Sequence, residues 1–242
     1  MKLRIHPITL LCALAVLAPA IATASSLDVN ADCAMGSSSS SACGVPGAGC
    51  GLEVLVTQPQ TMAFVQSDHM LTGGGEAAVR ISFYVDPGHP DPANPANLLS
   101  VAAPGHIRAL VVYESFAIPT PSRMIAFVRR NETGTAWRLH VWVRDAVTNG
   151  FVEAGAGFLV GGSATTATRV DIEYTAGAGN GIVRATRTLD QPGSPTVQIF
   201  NRTNLQTGGF TLGIARFGDQ GFGSLGSPSG SVCVDEVVIS RL

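Results

Sequence analysis

From Leu52 onward, the sequence alternates apolar and polar residues with a period of two, and no helical periodicity accompanies that pattern. The clearest stretch spans residues 79–86, and residues 137–144 and 169–174 repeat it. Because successive side chains of a β-strand point to opposite faces, each stretch predicts a strand with one buried face and one wetter face. The alternation therefore predicts a protein built from β-strands.

Weaker stretches of the same kind predict further strands between these three. They lie near residues 52–57, 61–66, 107–116, 123–130, 151–160, 182–188, 196–201, 209–216 and 231–240. Asn149-Gly150 and Asn180-Gly181 predict hairpin turns, since both residue types tolerate a positive φ. About a dozen short strands separated by Gly and Pro predict an all-β, two-sheet sandwich or a barrel.

The first residues have the three zones of a secretory signal peptide. Lys2 and Arg4 make a basic start, residues 8–18 are apolar, and Ala22-Thr23-Ala24 is a small-residue cleavage site. The apolar run is too short to span a membrane. We therefore expect residues 1–24 to be removed on export to the periplasm or the exterior. A Ser- and Gly-rich flexible tail over 25–50 and one domain over 51–242 should remain.

The exported chain would keep four cysteines, Cys33, Cys43, Cys50 and Cys233. An even number of cysteines in an oxidising compartment predicts two disulfides. Zinc sites use closely spaced pairs with histidines nearby, and that spacing is missing here. Four cysteines allow three connectivities, of which we favour Cys33–Cys43 with Cys50–Cys233.

The charge of the exported chain argues against several classes of partner. Cleavage would remove the sole lysine, Lys2, together with Arg4, and leave 13 arginines against 17 acidic residues. This balance gives no reason to expect nucleic acid or an anionic membrane as a partner. No second apolar stretch is long enough for a membrane span. We predict no cofactor, and the oligomeric state stays open.

Three passages resemble the concanavalin A-like, laminin-G-like jelly-roll superfamily, and in particular its exported bacterial members. They are residues 63–68 with 79–87, residues 168–174 with 179–181, and residues 230–241. The resemblance implies a two-sheet antiparallel jelly-roll sandwich and no particular reaction. In the closing passage, the buried phase set by Val232 and Val234 is reversed at Val237 and Ile239, which predicts a β-bulge near Asp235-Glu236.

That superfamily includes polysaccharide hydrolases and lyases, but their motifs are incomplete or missing here. The nearest match to the laminarinase-like acidic strand is Arg169-Val-Asp171-Ile-Glu173, which lacks the first acid. We interpret Asp171 and Glu173 as a solvated strand face with Arg169 as charge partner. The three motifs of the alginate lyases are absent, as are the nucleophile elbow and the His-Glu-x-x-His zinc motif. We therefore predict no catalytic residue.

A metal site also receives little support. Asp86, His89 and Asp91 lie in one loop, but its prolines favour a stiff, extended backbone that keeps the three side chains apart. We predict no metal.

The best candidate for ligand recognition is the strand face that carries His140, Trp142 and Arg144. Aromatic and cationic side chains together suit a sugar or an acidic glycan through stacking and bidentate hydrogen bonds. Arg80 and Tyr84 would join this face if their strand belongs to the same sheet. The alternative is that Trp142 belongs to the core and Trp137 is exposed, or that both are partly buried, because alternation alone does not say which face is buried.

These features favour an exported, non-catalytic module that binds glycans or a component of the envelope or matrix. The first alternative is a polysaccharide-active enzyme, either a lyase or a glycoside hydrolase. It would use residues from the set Arg80, Tyr84, His140, Asp171 and Glu173. The second alternative is a structural or adhesion module whose partner is another protein.

Overall fold

The computed structural model describes about half of the chain, 128 of its 242 residues, in twelve segments. These are residues 25–27, 39–40, 51–56, 63–67, 75–86, 106–114, 122–130, 137–154, 157–161, 168–189, 196–219 and 230–242. All regular structure in these segments is β, in fifteen strands. None of the described residues forms a helix long and apolar enough to cross a membrane.

Eight strands form the larger sheet. Their bounds are β1 Ser25–Leu27, β2 Ser39–Ser40, β3 Gly51–Val56, β5 Ala78–Asp86, β11 Thr168–Thr175, β12 Ala178–Leu189, β13 Thr196–Gln206 and β15 Gly230–Arg241. Their order is β13-β12-β11-β5-β15-β3-β2, and β1 also pairs with β15. The sheet therefore joins strands from both ends of the sequence.

Seven strands form the smaller sheet. Their bounds are β4 Ala63–Ser67, β6 His106–Tyr113, β7 Ser122–Arg130, β8 Trp137–Arg144, β9 Phe151–Glu153, β10 Phe158–Gly161 and β14 Ile214–Asp219. Their order is β10-β8-β7-β6-β14-β4, and β9 also pairs with β8. Every pairing in both sheets is antiparallel. The protein is a two-sheet antiparallel jelly-roll sandwich, which confirms the predicted fold class.

The core lies between the two sheets and consists of the inward-facing residues of each strand. Ile81, Phe83, Leu139 and Ile172 are each at most 1 % exposed and belong to one apolar cluster. Phe83 of the larger sheet meets Phe217 of the smaller sheet edge to face, with ring centroids 5.4 Å apart. This burial is the main stabilisation of the sandwich, because each large apolar side chain contributes about 1.5–3 kcal/mol when it leaves water.

The predicted bulge in the closing strand is confirmed. The pairing of β15 with β5 shifts between Asp235 and Val238, and Glu236 has a φ of 45°. The extra residue lets Val234 and Val237, three positions apart, both face the core at 1 % exposure. The bulge thus resolves the reversal of hydrophobic phase that the sequence shows.

The two predicted hairpins differ in the structure. Asn149, with a φ of 56°, lies in the connection between β8 and β9, which Asp145 closes through its backbone hydrogen bond to Gly150. Asn180-Gly181 does not form a tight turn, because the pairing of β11 with β12 ends at Ile182 and the start of β12 pairs with β13 instead.

Several predictions lie outside the described residues. These are the signal peptide over residues 1–24, the placement of Cys33, Cys43 and Cys50, and the histidine and second aspartate of the proline-rich loop. Cys233 lies in β15, and its disulfide partner stays a prediction. The short strands β1 and β2 fall within residues 25–50, for which the sequence predicts a flexible tail.

Replacing Ile172 with alanine should test the core. We expect Ile172→Ala to lower the free energy of unfolding by roughly 2–5 kcal/mol, because it leaves a cavity at a fully buried position. Thr175→Ala, at an exposed position of the same strand, is the control and should change it by less than about 0.5 kcal/mol. Urea unfolding of both variants measures the difference, and equal losses would contradict the placement of Ile172.

Candidate functional site

The outward face of β8 carries the predicted recognition residues. The burial pattern of this strand alternates, with Trp137, Leu139, Val141 and Val143 inside the sandwich. His140, Trp142 and Arg144 therefore share the outward face, where each is partly buried. The alternative that places Trp142 in the core does not hold, since Trp137 occupies the core at 8 % exposure.

Arg80 and Tyr84 do not join this face. Both lie on β5, which is a strand of the larger sheet, and their side chains alternate with the core residues Ile81 and Phe83. They therefore point away from the smaller sheet, on the opposite side of the sandwich. The five predicted residues form two separate groups, and the condition for a single site is not met.

A histidine–carboxylate pair lies on the outward face of the smaller sheet. The Nδ1 atom of His140 is 2.5 Å from Oε1 of Glu153, and the two side chains are 18 % and 39 % exposed. Because a carboxylate only accepts, Nδ1 carries the proton in this bond and Nε2 is the nitrogen able to take up a proton. An imidazole held in this way is suited to act as a general base.

Gly157 makes room for the imidazole. A Cβ atom at this position would lie 2.4 Å from Nε2 of His140, which is far inside van der Waals contact. The interruption between β9 and β10 brings Gly157 to this place, where its carbonyl also accepts a hydrogen bond from Nη1 of Arg138 at 3.2 Å. The break in the edge strand therefore shapes the site.

Arginines surround the histidine. Four arginines among the described residues project from this side of the smaller sheet, as the strand registers and the alternation of β8 place them: Arg108, Arg138, Arg144 and Arg216. Glu153, which contacts His140, is the carboxylate that the register of β9 places on the same side, while Glu114 and Arg123 form an ion pair with each other. The excess of positive charge favours an anionic ligand, although the chain as a whole is acidic.

Hydrogen bonds and aromatic rings hold these arginines in place. Arg144 donates from Nε to the carbonyl of Ser122 at 2.8 Å and lies over the ring of Phe151 at 4.7 Å. Burial, followed by repulsion from Arg123, lowers the pKa of Arg144. Burial also lowers the pKa of Arg108. Both guanidinium groups stay charged at neutral pH, because the unperturbed pKa of arginine lies far above neutrality.

The centre of this face is apolar. Val111, Ile125 and Ile214 are at most 2 % exposed, yet they lie outside the core cluster between the sheets. The strand registers place Val111 and Ile125 in one row between Trp142 and Arg216. Because these side chains are buried, a ligand on this face would contact the partly buried Trp142 and the arginines and not the apolar row.

The outward face of the larger sheet is an ion-paired strand surface. Arg80 binds Glu173 with Nη2 and Oε1 2.5 Å apart. Asp171 accepts a hydrogen bond from the hydroxyl of Ser82 at 2.6 Å and pairs with Arg169 at 3.3 Å. Asp171 therefore has Arg169 as its charge partner, as predicted, whereas the partner of Glu173 is Arg80, which the sequence had suggested for the recognition face.

Sequence reasoning missed Glu153 and Gly157. Residues 151–160 were expected to form one strand, which gave no reason to expect a break beside His140. A usable signal was present, since Asn149-Gly150 predicts a hairpin that brings the residues after it alongside β8. In the structure Glu153 lies opposite Trp142 and reaches the neighbouring histidine.

No family model and no curated protein matches the chain. Among solved structures, it is similar to alginate lyase vAL-1 from Chlorella virus, with a TM-score of 0.46 and 9% identity over 85% of this chain and 90% of that one. It is also similar to the alginate lyase from Klebsiella pneumoniae, with a TM-score of 0.46 and 8% identity over 81% and 82% of the two chains. A third match is an engineered GH43 glycoside hydrolase, with a TM-score of 0.39, 12% identity, and 80% and 35% of the two chains covered. Likeness at this level assigns no role to any residue of this chain.

These matches correct one prediction. We expected a non-catalytic binding module, whereas the matched structures are lyases and a glycoside hydrolase by name. The main functional prediction is therefore wrong, and the enzymatic alternative is the one that stays open.

Among the described residues, no three His, Cys, Asp or Glu side chains come together in a way that could hold a metal ion.

Gly157→Ala should show whether the position of His140 depends on this glycine. The added methyl group must displace the imidazole or the edge strand, so we expect a loss of roughly 1–3 kcal/mol in the free energy of unfolding. Gly209→Ala is the matched control, because a Cβ there meets no atom within 4 Å. Chemical denaturation compares the two variants, and equal stability would contradict the close contact.

Proposed function

We propose that the protein is a polysaccharide-active enzyme that cleaves an acidic polysaccharide by β-elimination, with His140 as the general base. The observation that carries this proposal is the 2.5 Å contact between His140 and Glu153 on a face rich in arginine. The names of the matched structures agree with it but do not carry it. We place the chain in the concanavalin A-like superfamily as part of the same proposal.

The reaction requires a base and a cation close to each other. In a uronic acid, the hydrogen on the carbon beside the carboxylate becomes acidic enough to remove only when a cation neutralises that carboxylate. Nε2 of His140 takes this proton, the bond to the leaving glycosidic oxygen breaks, and a carbon–carbon double bond forms. The protonated imidazole then donates a proton to the leaving oxygen, so no other reactant is consumed.

Arg138 and Arg108 are the candidates for binding the carboxylate. Arg138 is two residues from His140 on the same strand face, which places their Cα atoms about 7 Å apart. Arg108 pairs with Phe127, which pairs with His140, so it lies two strands away at about 10 Å. Both Cα separations are short enough for the arginine and histidine side chains to contact one sugar residue.

The arrangement of carboxylates favours a lyase over a glycoside hydrolase. A retaining hydrolase needs two carboxyl groups about 5 Å apart, one as nucleophile and one as acid. The acids Asp171 and Glu173 share a strand face, but each is bound by an arginine of the ion-paired surface. Glu153 is engaged by His140. The imidazole–carboxylate pair is instead suited to proton transfer.

His140→Ala should remove activity on acidic polysaccharides. We expect a loss of about 10²–10⁴-fold in kcat/KM, the usual contribution of a general base. Glu153→Gln should lower it by at least about tenfold, because the amide holds Nδ1 less firmly. The measurement is the ultraviolet absorbance of the new double bond on a panel of uronate-containing polymers and neutral ones.

Glu173→Gln is the control for this experiment. It alters the outward face of the larger sheet and should leave turnover unchanged. Release of reducing ends without the absorbance of a double bond would indicate hydrolysis and contradict elimination. Loss of activity in Glu173→Gln with full activity in His140→Ala would move the site to the other sheet.

We also propose that the chain is exported, that cleavage follows Ala24, and that Cys33–Cys43 and Cys50–Cys233 form disulfides. The support is the three-zone N-terminus and the even number of remaining cysteines. Mass spectrometry of the secreted product should find Ser25 at its N-terminus, and non-reducing peptide maps should contain the two linked pairs. An N-terminus that retains Met1, or a Cys33–Cys233 peptide, would contradict this proposal.

A further inference from the structure

Arg187 is a buried cation within the sandwich. It lies on the inward face of β12, in phase with the core residues Val183 and Ala185, and only 2 % of it is exposed. Its Nη1 donates to Oε1 of Gln198 at 3.2 Å, whereas its buried Nε has no hydrogen-bond partner. Among the described residues, no carboxylate forms an ion pair with it.

Such a group is costly unless an anion meets it. A guanidinium stays charged at neutral pH, and a buried charge without a counter-charge lowers the stability of the fold. Burial lowers the pKa of Arg187. The position would be occupied more favourably by an apolar residue if Arg187 served packing alone.

The guanidinium lies close to the open edge of the sandwich. β13 is the edge strand next to β12 in the described sheet, and its residue Gln198, which is opposite Arg187, is exposed. Further along the same face, Phe200 stacks on Phe158 with ring centroids 4.6 Å apart. Gln198 is therefore the described residue that joins the buried guanidinium to the exposed side of this edge.

A second arginine continues this edge. Arg202 follows Gln198 by four residues on the same face, about 13 Å along the strand. It is exposed, and its Nη1 donates to the carbonyl of Glu153 at 2.8 Å. The edge between β13 and the strands β9 and β10 thus carries two cations on either side of an aromatic pair.

We propose that Arg187 and Gln198 form a binding site for a carboxylate group at the open edge between β13 and β10, separate from the His140 face. The Nε and Nη1 donors of the guanidinium bind the two carboxylate oxygens once the side chain of Gln198 moves aside. A free small carboxylate and the carboxylate of a sugar acid share this chemistry. Phe200 and Arg202 extend the site in a way that suits the sugar acid.

Ligand-dependent thermal unfolding tests the site. Sodium glucuronate should raise the Tm of the wild-type protein above its value in sodium chloride of equal ionic strength, and Arg187→Met should lose this shift. Arg184→Met is the matched control, since Arg184 lies on the same strand but faces outward, and it should keep the shift. Sodium acetate, tested in the same way, distinguishes a site for any small carboxylate from a site for a sugar acid. An equal response to acetate assigns a small carboxylate, and a response to glucuronate alone assigns a sugar acid.

Gln198→Glu provides a second test that does not remove the arginine. It supplies a carboxylate 3.2 Å from Nη1 of Arg187, so we expect a higher Tm without ligand and at least tenfold weaker glucuronate binding by calorimetry. If Arg187→Met does not fold, the Gln198→Glu variant alone tests whether the site binds a carboxylate. Equal Tm shifts in the wild type and Arg187→Met, no shift in the wild type, or unchanged binding in Gln198→Glu would overturn the proposal.

The site is independent of the proposed reaction. His140→Ala should keep the glucuronate response even if turnover is lost, because His140 lies on the outward face of the smaller sheet. Loss of the response in His140→Ala would show that glucuronate binds on that face, and would overturn the assignment to Arg187.

Discussion

The requirement that every strand bury one face governs the structure. Each strand of the sandwich commits alternate side chains to the core, as β8 and β11 do with regular alternation. The remaining positions point outward and are free to carry charge. Where the alternation of apolar and polar residues reverses in β15, a β-bulge adds one residue, and Glu236 with its positive φ lies in that bulge. The functional surfaces are consequently built from the residues that the core does not use.

The two outward faces differ in how far their charged side chains are paired. On the larger sheet, Arg80 and Glu173 satisfy each other, so that this surface is close to neutral and well solvated. On the smaller sheet, arginines outnumber carboxylates, and one of those carboxylates is bound to His140. An excess of cations beside a histidine–carboxylate pair is what an enzyme of acidic polysaccharides would require, whereas the neutral face offers no comparable attraction to a polyanion.

The edge between the sheets holds a third kind of charged group, a buried arginine. There Arg187 lies on the inward face of β12 at 2 % exposure, a position where a structural residue would ordinarily be uncharged. Local alternation alone did not single out this residue, since Arg184 and Arg187 look equivalent along a sequence of small and polar residues. Their three-residue separation places them on opposite faces of β12, one exposed and one buried.

Much of the architecture follows from the sequence, because alternation and turn residues act over a few positions. The strands near residues 79–86, 137–144 and 169–174, the shared face of His140 with Trp142 and Arg144, and the bulge in β15 are all local consequences of side-chain order. Membership of a sheet is not local. β5 pairs with β11 some 90 residues later, and that pairing decides that Arg80 and Tyr84 lie on the opposite side from His140. The tertiary structure also decided that Glu153 and Gly157 meet His140, because these contacts depend on how an interrupted edge strand packs against β8.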